Sequence, residues 1–469
     1  MALPGCGGGG GGDDLFANSV ARATLPNPQD SGIDHIVLLM MENRSFDHFL
    51  GWVPGADGRQ AGLAFPDRAG ALQSTYPMVE GHPSPWQGCG SADPAHGYDS
   101  GRIHLHNGRM DGWLLTDPTQ LGDTLPLAYY RREDLPFYAG VAEDWTICDR
   151  YFSAVMMGTW PNRFYMHSGD NDFLDAEGVE KESFLSTLWD ALAAKGIEGR
   201  YYFGNLPFLG LWHEDYLSIS RPLETFFVDC AAGNLPAITY VDPIFESGGP
   251  NALSNDDHPH SDVRAGQLLL NRIYDAVRSG PQWERTLLII NYDEWGGFFD
   301  HVIPPVVPPS TRDLEVTGND GRLGFRVPCV LIGPRARRGH VSHELLHPNA
   351  ILNFFSWRFG LPPLGSRAAH SGNLAHALDF SNPPNTASRG YSVANGSFGL
   401  DCQRYSNWPQ IDPPDGGIVI PLPTIPAPNA ASARSTDSDH VRQLRGLYEK
   451  ARARGFPVGP VVFPEESLS

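Results

Sequence analysis

Hydrophobic residues occur in short runs, separated by stretches in which apolar side chains recur at helical spacing. The runs are rich in β-formers and predict buried strands at 36–41, 237–241, 287–292 and 327–332. Residues 261–280, SDVRAGQLLLNRIYDAVRSG, have an amphipathic face, with Ser261 as the predicted N-cap and Gly280 as the predicted stop. The stretches at 182–196 and 347–361 predict two further helices. Strands alternating with helices indicate an α/β fold, with a mainly parallel central sheet flanked by helices on both faces.

The pattern changes after residue 361, where the chain becomes rich in Pro, Asn and Ser before a last predicted helix near 438–453. We therefore expect three parts. They are a disordered Gly-rich leader over 1–30, a catalytic domain over 31–361, and an extension over 362–469 that packs on the same domain. A chain of 469 residues is long enough for one such large α/β unit.

Two of the predicted strands end in pairs of polar residues. Glu42 and Asn43 follow the first strand directly, and Asp293 and Glu294 follow the strand at 287–292. In open α/β sheets, ligands bind beyond the carboxyl ends of the strands. Either pair alone could be a helix cap or a surface loop. Together, three carboxylates and an amide at strand ends predict an oxygen-rich site for a divalent cation.

A third polar segment, GTWPNRFYMHSG, contains Thr159 two residues before Pro161. Proline is favoured in the first turn of a helix, so we expect Thr159 at or near an N-cap. Two interpretations stay open. The threonine caps the helix and does nothing more, or its hydroxyl faces an anion bound by the helix N–H groups. In the second case, a metal bound to the hydroxyl would lower its pKa and make it a nucleophile at neutral pH.

Two further features have competing interpretations. Asp242 directly precedes Pro243, which favours a turn residue over a pocket residue. Several aromatic residues near the motifs could form a wall that binds a quaternary ammonium group, or could pack in the core. They are Trp160, Phe203, Phe208, Trp212 and Trp295.

Composition narrows the possible partners. The formal net charge of −20 argues against a nucleic-acid partner. No stretch approaches the roughly 18 apolar residues of a membrane helix, so we expect no transmembrane segment. The N-terminus lacks the features of a secretory signal, which leaves a cytoplasmic protein or one exported by another route. The six cysteines form no CxxC pair, so both disulfides and core thiols are possible.

Six segments occur in the order and spacing of a known family, between residues 33 and 361. They are IVLLMMENRSFDHFLG, NGRMDGW, GTWPNRFYMHSG, DDHPHSDVRAG, YDEWGGFFDHV and FRVPCVLIGP. In these segments the chain resembles the bacterial and plant phosphoesterase family, which contains the non-specific, phosphatidylcholine-type phospholipases C and related acid phosphatases. The resemblance implies an alkaline-phosphatase-like fold and the hydrolysis of phosphoric esters.

The resemblance also implies roles for individual residues. The expected ligands of one divalent ion, Ca²⁺, Mg²⁺, Mn²⁺ or Zn²⁺, are Glu42, Asn43, Thr159, Asp293 and Glu294. Thr159 is the expected nucleophile and would form a phospho-threonine. The expected proton donor to the leaving alcohol is His258, helped by His96 or His104. Asn43, Asn162 and Arg163 are expected to bind substrate, with bracing of the loops as the alternative for the last two.

The chain departs from the family pattern at Trp295, where a histidine is common, and at Leu346, where an acidic residue is common. Threonine at position 159 is similar to the phospholipase branch of the family. We therefore expect a phospholipase C-type phosphodiesterase acting on a phosphate ester or a phospholipid. An acid phosphatase, or a catalytically silent protein that binds phosphate or lipid head groups, is the alternative.

Overall fold

The computed structural model describes residues 24–116, 123–172, 183–212, 214–245, 254–309, 314, 320–396, 398–399, 402 and 434–459. Most of the predicted leader, residues 1–23, lies outside the described residues, and Pro28–Asp30 form a short 3-10 turn. None of the helices described has the length and hydropathy required to cross a bilayer.

Twelve strands are present in the described part of the chain. They are β1 (His35–Met41), β2 (Ala64–Pro66), β3 (Leu72–Ser74), β4 (Tyr76–Pro77), β5 (Ala128–Tyr129), β6 (Thr146–Cys148), β7 (Gly199–Phe203), β8 (Ser220–Pro222), β9 (Ile238–Asp242), β10 (Thr286–Tyr292), β11 (Cys329–Ile332) and β12 (His340–Ser342). Eight of them form the central sheet, in the order β12-β6-β11-β10-β1-β9-β7-β8.

The sheet is mainly parallel. Only β11 runs antiparallel to its neighbours β10 and β6, and the other five neighbouring pairs in the sheet are parallel. Strands β1 and β10 lie side by side in the middle, and their side chains are buried almost throughout, as expected for parallel strands covered on their faces. The four predicted strands correspond to β1, β9, β10 and β11, so the predicted α/β class is confirmed.

The α-helices surround the sheet. They are α1 (Phe46–Leu50), α2 (Met78–Gly81), α3 (Tyr98–Leu105), α4 (Pro136–Asp144), α5 (Thr159–Ser168), α6 (Leu188–Ala194), α7 (Leu223–Ala232), α8 (Val263–Ser279), α9 (Pro348–Phe359) and α10 (Arg434–Ala453). The predicted N-cap of α8 is wrong by one residue. The Asp262 carboxylate accepts from the Arg264 N–H, whereas the Ser261 hydroxyl donates to Asp256. Gly280 does end this helix.

The described parts of the predicted extension bury side chains against the rest of the chain. Tyr391 stacks on Tyr274 of α8, with ring centroids 5.0 Å apart. From the C-terminal helix, Leu444 and Leu447 enter the main hydrophobic core. A disulfide joins Cys89 to Cys402, 313 residues later in the chain. The free cysteines described, Cys148, Cys230 and Cys329, are all buried.

Loss of this disulfide should destabilise the fold. Because the bond closes a very long loop, reduction or Cys402→Ser should lower the free energy of unfolding by roughly 2–4 kcal/mol. Thermal unfolding followed by circular dichroism, with and without a reductant, measures the effect. Reductant should not lower the melting temperature of the Cys402→Ser variant further. A wild-type melting temperature that does not change on full reduction would contradict the prediction.

Candidate functional site

The pairing of the two central strands brings the predicted ligands together. Met41 and Tyr292, the last residues of β1 and β10, are register partners. The residues that follow them therefore leave the sheet side by side, at its carboxyl edge. The Asn43 backbone N–H donates to Asp293 Oδ1 at 3.1 Å, which ties the two strand ends to each other.

The turn after β1 has an unusual backbone. Asn43 has a φ of 61°, in the left-handed region, which asparagine tolerates better than most residues do. Gly296, in the loop after β10, packs against this turn and also has a φ of 61°. A Cβ at Gly296 would lie 2.1 Å from the Asn43 carbonyl oxygen. Only glycine fits this contact. The two loops are therefore built to approach each other closely.

Several carboxylate oxygens at this edge are buried and accept no hydrogen bond from the described residues. They are both side-chain oxygens of Glu42, Oδ2 of Asp293 and Oε1 of Glu294. All three side chains are at most 1 % exposed. Burial raises the pKa of Glu42 and of Glu294 well above the usual value, and that of Asp293 as well. A divalent cation would satisfy these oxygens and keep the carboxylates ionised, so the residues present fit a metal site.

One buried guanidinium faces three carboxylates beneath this edge. Arg163 Nη2 lies 3.1 Å from Glu42 Oε1, Nη1 lies 2.5 Å from Asp242 Oδ1, and Nε lies 3.7 Å from Asp293 Oδ2. Asp242 ends β9 and also accepts from the Tyr201 hydroxyl, so its interpretation as a simple turn residue is wrong. Arg163 is fully buried, which favours the bracing alternative over direct contact with a substrate.

Thr159 is the first residue of α5, directly after its N-cap, Gly158. Its hydroxyl donates to Asn43 Oδ1 at 3.3 Å, so it reaches the carboxylate site. Asn162 uses its amide to hold the preceding loop, because Nδ2 donates to the carbonyl oxygens of Met157 and Gly158. This geometry again favours bracing over substrate contact for Asn162.

His96 lies beside Asn43, and His258 lies beside His96. His96 Nε2 is 3.3 Å from Asn43 Nδ2 and 3.9 Å from Glu294 Oε1. The His96 and His258 rings meet edge to face, 5.6 Å apart. The Nδ1 atoms lie against the carbonyl oxygens of Pro94 and Pro259, which only accept, so each Nδ1 carries a proton and each Nε2 is the atom that exchanges one.

A carboxylate that the sequence analysis did not single out completes this corner. One side-chain atom from each of Asp93, His96 and His258 lies within 4.8 Å of the others. Asp93 comes three residues before His96 in the DPAHG segment. This Asp-x-x-His spacing, which ends at a predicted site histidine, is the signal that could have identified Asp93.

His104, the competing histidine, lies in a different environment. Its Nδ1 accepts from the Trp295 indole at 3.2 Å, and its Nε2 lies 3.3 Å from the Thr116 hydroxyl. Burial lowers the pKa of His104 to about 3. The ring packs against Trp113, with ring centroids 4.9 Å apart, and lies near Phe325. A neutral imidazole with both nitrogens engaged is poorly suited to protonating a leaving group, so the geometry favours His96.

The aromatic residues proposed as a binding wall are buried. Trp160 is the most exposed of the five, at 6 %. Three of the others, Phe203, Phe208 and Trp212, belong with it to the main core, and Trp295 packs in a second cluster with Trp113 and Phe325. The core interpretation is therefore favoured for these side chains.

Known proteins with related sequences are phospholipases C. The chain is 32 % identical over 346 residues to a non-specific phospholipase C6 of Arabidopsis thaliana, covering 68 % of this chain and 65 % of that protein. It is 32 % identical over 435 residues to phospholipase C B of Mycobacterium tuberculosis, covering 75 % and 79 %. The chain thus spans less than two thirds of the length of the plant relative.

Solved structures match at low similarity. One is a protein in the alkaline phosphatase superfamily from Vibrio parahaemolyticus, with a TM-score of 0.32 and 9 % identity, covering 49 % of this chain and 61 % of that one. Another is the lipoteichoic acid synthase LtaP from Listeria monocytogenes, with a TM-score of 0.37 and 6 % identity, covering 92 % and 95 %.

The sequence profile of the Phosphoesterase family matches residues 33–362, which include every residue of the site described above. The chain belongs to the Phosphoesterase family.

Proposed function

We propose that this chain is a metal-dependent phosphoric-ester hydrolase of the phospholipase C type, with Thr159 as its nucleophile. The observation that carries the proposal is the position of the Thr159 hydroxyl. It lies against Asn43, beside buried carboxylate oxygens that accept no hydrogen bond from the described residues. A structural helix cap would not need such a setting.

Glu42, Asn43, Thr159, Asp293 and Glu294 would hold the cation. When bound, a divalent ion supplies positive charge at the reacting oxygens and lowers the pKa of the threonine hydroxyl. All of these ligand atoms are oxygens, which suits Ca²⁺, Mg²⁺ or Mn²⁺ and permits Zn²⁺.

The chain's own residues carry the two chemical steps. In the first, the Thr159 oxygen, which has released its proton to solvent, attacks phosphorus in line. The bond from phosphorus to the leaving oxygen breaks, and His258 or His96 gives that oxygen a proton from Nε2. In the second, water attacks phosphorus and the bond from phosphorus to the Thr159 oxygen breaks. The same histidine accepts the proton of the water, and the Thr159 oxygen returns to its deprotonated state.

The helix position of Thr159 favours this reaction. As the first residue of α5, it lies where backbone N–H groups have no partner within the helix and where the helix dipole attracts negative charge. An anionic phosphoryl group bound to Thr159 would benefit from both.

We infer that a phosphodiester is preferred over a phosphomonoester. The related proteins named above are phospholipases C. In addition, Arg163 is already surrounded by Glu42, Asp242 and Asp293, so its charge is not available to a substrate. A monoester carries a second negative charge that the described site offers little to balance.

Thr159→Ala should lower kcat by roughly 10³-fold or more, because no other hydroxyl replaces the nucleophile. Thr159→Ser should keep measurable activity, since the chemistry needs only the hydroxyl and the methyl group restricts its rotamer. Release of nitrophenol from nitrophenyl phosphorylcholine measures both. Both variants are assayed with saturating divalent ion, because the alanine variant lacks one expected ligand atom, and without metal its melting temperature should match that of the wild type. An alanine variant that keeps a tenth of the activity would rule out Thr159.

Elemental analysis should find about one divalent ion per wild-type chain, and Asp293→Asn should lose it because one buried ligand charge is removed. Adding back the ion should raise the melting temperature of the chelated wild type, as ligand binding to the folded state requires. Asp300→Asn is the control, since this buried carboxylate pairs with Arg326 instead. It should retain the metal. Active protein without stoichiometric metal would disprove the assignment.

The ratio of kcat/KM for nitrophenyl phosphorylcholine to that for nitrophenyl phosphate should be about tenfold or more, equivalent to about 1.4 kcal/mol of transition-state stabilisation. Each substrate is assayed at its own optimum pH with the same preparation. A tenfold preference for the monoester would instead identify an acid phosphatase. Turnover of neither ester would contradict the proposed hydrolase and favour the catalytically silent alternative.

A further inference from the structure

We propose that Arg44 is a positioning residue that fixes the turn carrying His258, and through it the protonation of the leaving group. The proposal rests on the proposed function, because it assigns a role in that reaction. Arg44 is 2 % exposed and follows the ligand pair at the end of β1. Its Nε donates to the carbonyl oxygen of Asp257 at 2.7 Å, one residue before His258.

The guanidinium is itself held in one orientation. Its carbon lies 4.7 Å from the ring centroid of Phe298 and 5.4 Å from that of Phe49. Its Nη1 is 3.0 Å from His48 Nε2. The other ring nitrogen, His48 Nδ1, lies 2.6 Å from the Ala128 carbonyl oxygen and must donate to it, so Nε2 is the acceptor for Arg44.

The neutral state of His48 is part of this arrangement. Burial and then the charge of Arg44 lower the pKa of His48 well below its usual value. A neutral ring can accept from the guanidinium, whereas a protonated ring would repel it. Two aromatic rings and one neutral imidazole therefore fix the direction of the guanidinium.

Arg44 also connects the loop after β10 to the turn that carries His258. Its backbone N–H donates to the Glu294 carbonyl oxygen at 3.1 Å, while its side chain reaches the turn of His258. The partners recorded for its guanidinium in the described part of the chain are a carbonyl oxygen, an imidazole and aromatic rings. Arg163 and Arg326, by contrast, pair with carboxylates. The Arg44 guanidinium is thus oriented so that it binds the turn before His258.

A second contact holds the same turn. Asp257 has a φ of 76°, and its carboxylate accepts from the Tyr292 hydroxyl at 2.5 Å. The Glu42 backbone N–H donates to the Asp256 carbonyl oxygen at 2.9 Å. The turn is therefore held to the ends of β1 and β10 by side chains as well as by backbone. Within it the His258 N–H donates to Asp256 Oδ1 at 3.1 Å, and Arg44 holds the carbonyl oxygen of the same peptide bond.

The test compares two diesters with different leaving groups. Nitrophenolate leaves without a proton, whereas the alkoxide of a short-chain phosphatidylcholine needs one. Because a general acid contributes about 10²-fold or more to a step that needs it, Arg44→Lys should lower kcat for the short-chain phosphatidylcholine at least about tenfold. It should lower kcat for nitrophenyl phosphorylcholine less than about threefold. His258→Ala should show the same selectivity, and the double variant should be no worse than His258→Ala alone.

Arg326→Lys is the matched control, because Arg326 is an equally buried arginine over an aromatic ring, that of Phe46 at 4.7 Å. It should lower stability and reduce activity on both esters by the same factor. Tyr292→Phe removes the other contact to the turn without removing a charge. It should also lower kcat more for the short-chain phosphatidylcholine than for nitrophenyl phosphorylcholine, by a smaller factor than Arg44→Lys does. This variant keeps the test valid if the lysine variant folds poorly.

Equal losses on the two esters for Arg44→Lys and Tyr292→Phe would overturn the positioning role while leaving the proposed function intact. The positioning role would also be overturned if the losses of kcat from Arg44→Lys and His258→Ala multiplied in the double variant. A wild-type protein that cleaves neither ester would overturn the proposed function, and this proposal with it.

Discussion

An excess of buried negative charge at the carboxyl edge of the sheet determines how this site is built. Glu42, Asp242, Asp293 and Glu294 lie together there, and the buried cation beneath them is Arg163. With all of these groups ionised, four negative charges against one positive leave a surplus of three. In a medium of low dielectric constant such a surplus is costly. The site must therefore either take up protons, as the raised pKa values indicate, or bind a cation.

A second buried acidic cluster shows what a balanced arrangement looks like. Asp47 and Asp300 share Arg326, and His301 lies beside them, where the Asp47 carboxylate raises its pKa against the effect of burial. Each carboxylate oxygen of Asp47 and Asp300 accepts at least one hydrogen bond. This cluster joins α1 to the loop after β10, and donors from the chain satisfy its carboxylate oxygens. The two clusters therefore differ in whether the chain donates hydrogen bonds to all of their carboxylate oxygens. The number of acids does not separate them.

The features that the sequence could predict are those with local signals. A run of apolar residues that ends in Glu42 and Asn43 identifies a strand and the polar residues at its end. The parallel register of β1 and β10 then brings the two polar pairs together. Other features depend on contacts between distant segments. The pairing of Arg163 with Asp242, the packing of His104 on Trp295 and the disulfide between residues 313 positions apart leave no periodic pattern in the chain. The antiparallel direction of β11 also depends on the path of the loop before it.

The same balance of charge bears on which ester the site would accept. A divalent ion bound to the four-carboxylate edge would reduce its surplus from three negative charges to one. A phosphodiester adds one further negative charge and a phosphomonoester dianion adds two, so the second is the harder to accommodate. Arg44 adds one positive charge in the turn before His258, where the Asp257 carboxylate interacts with it. The charge balance of the edge therefore favours the monoanion of a diester over the dianion of a monoester.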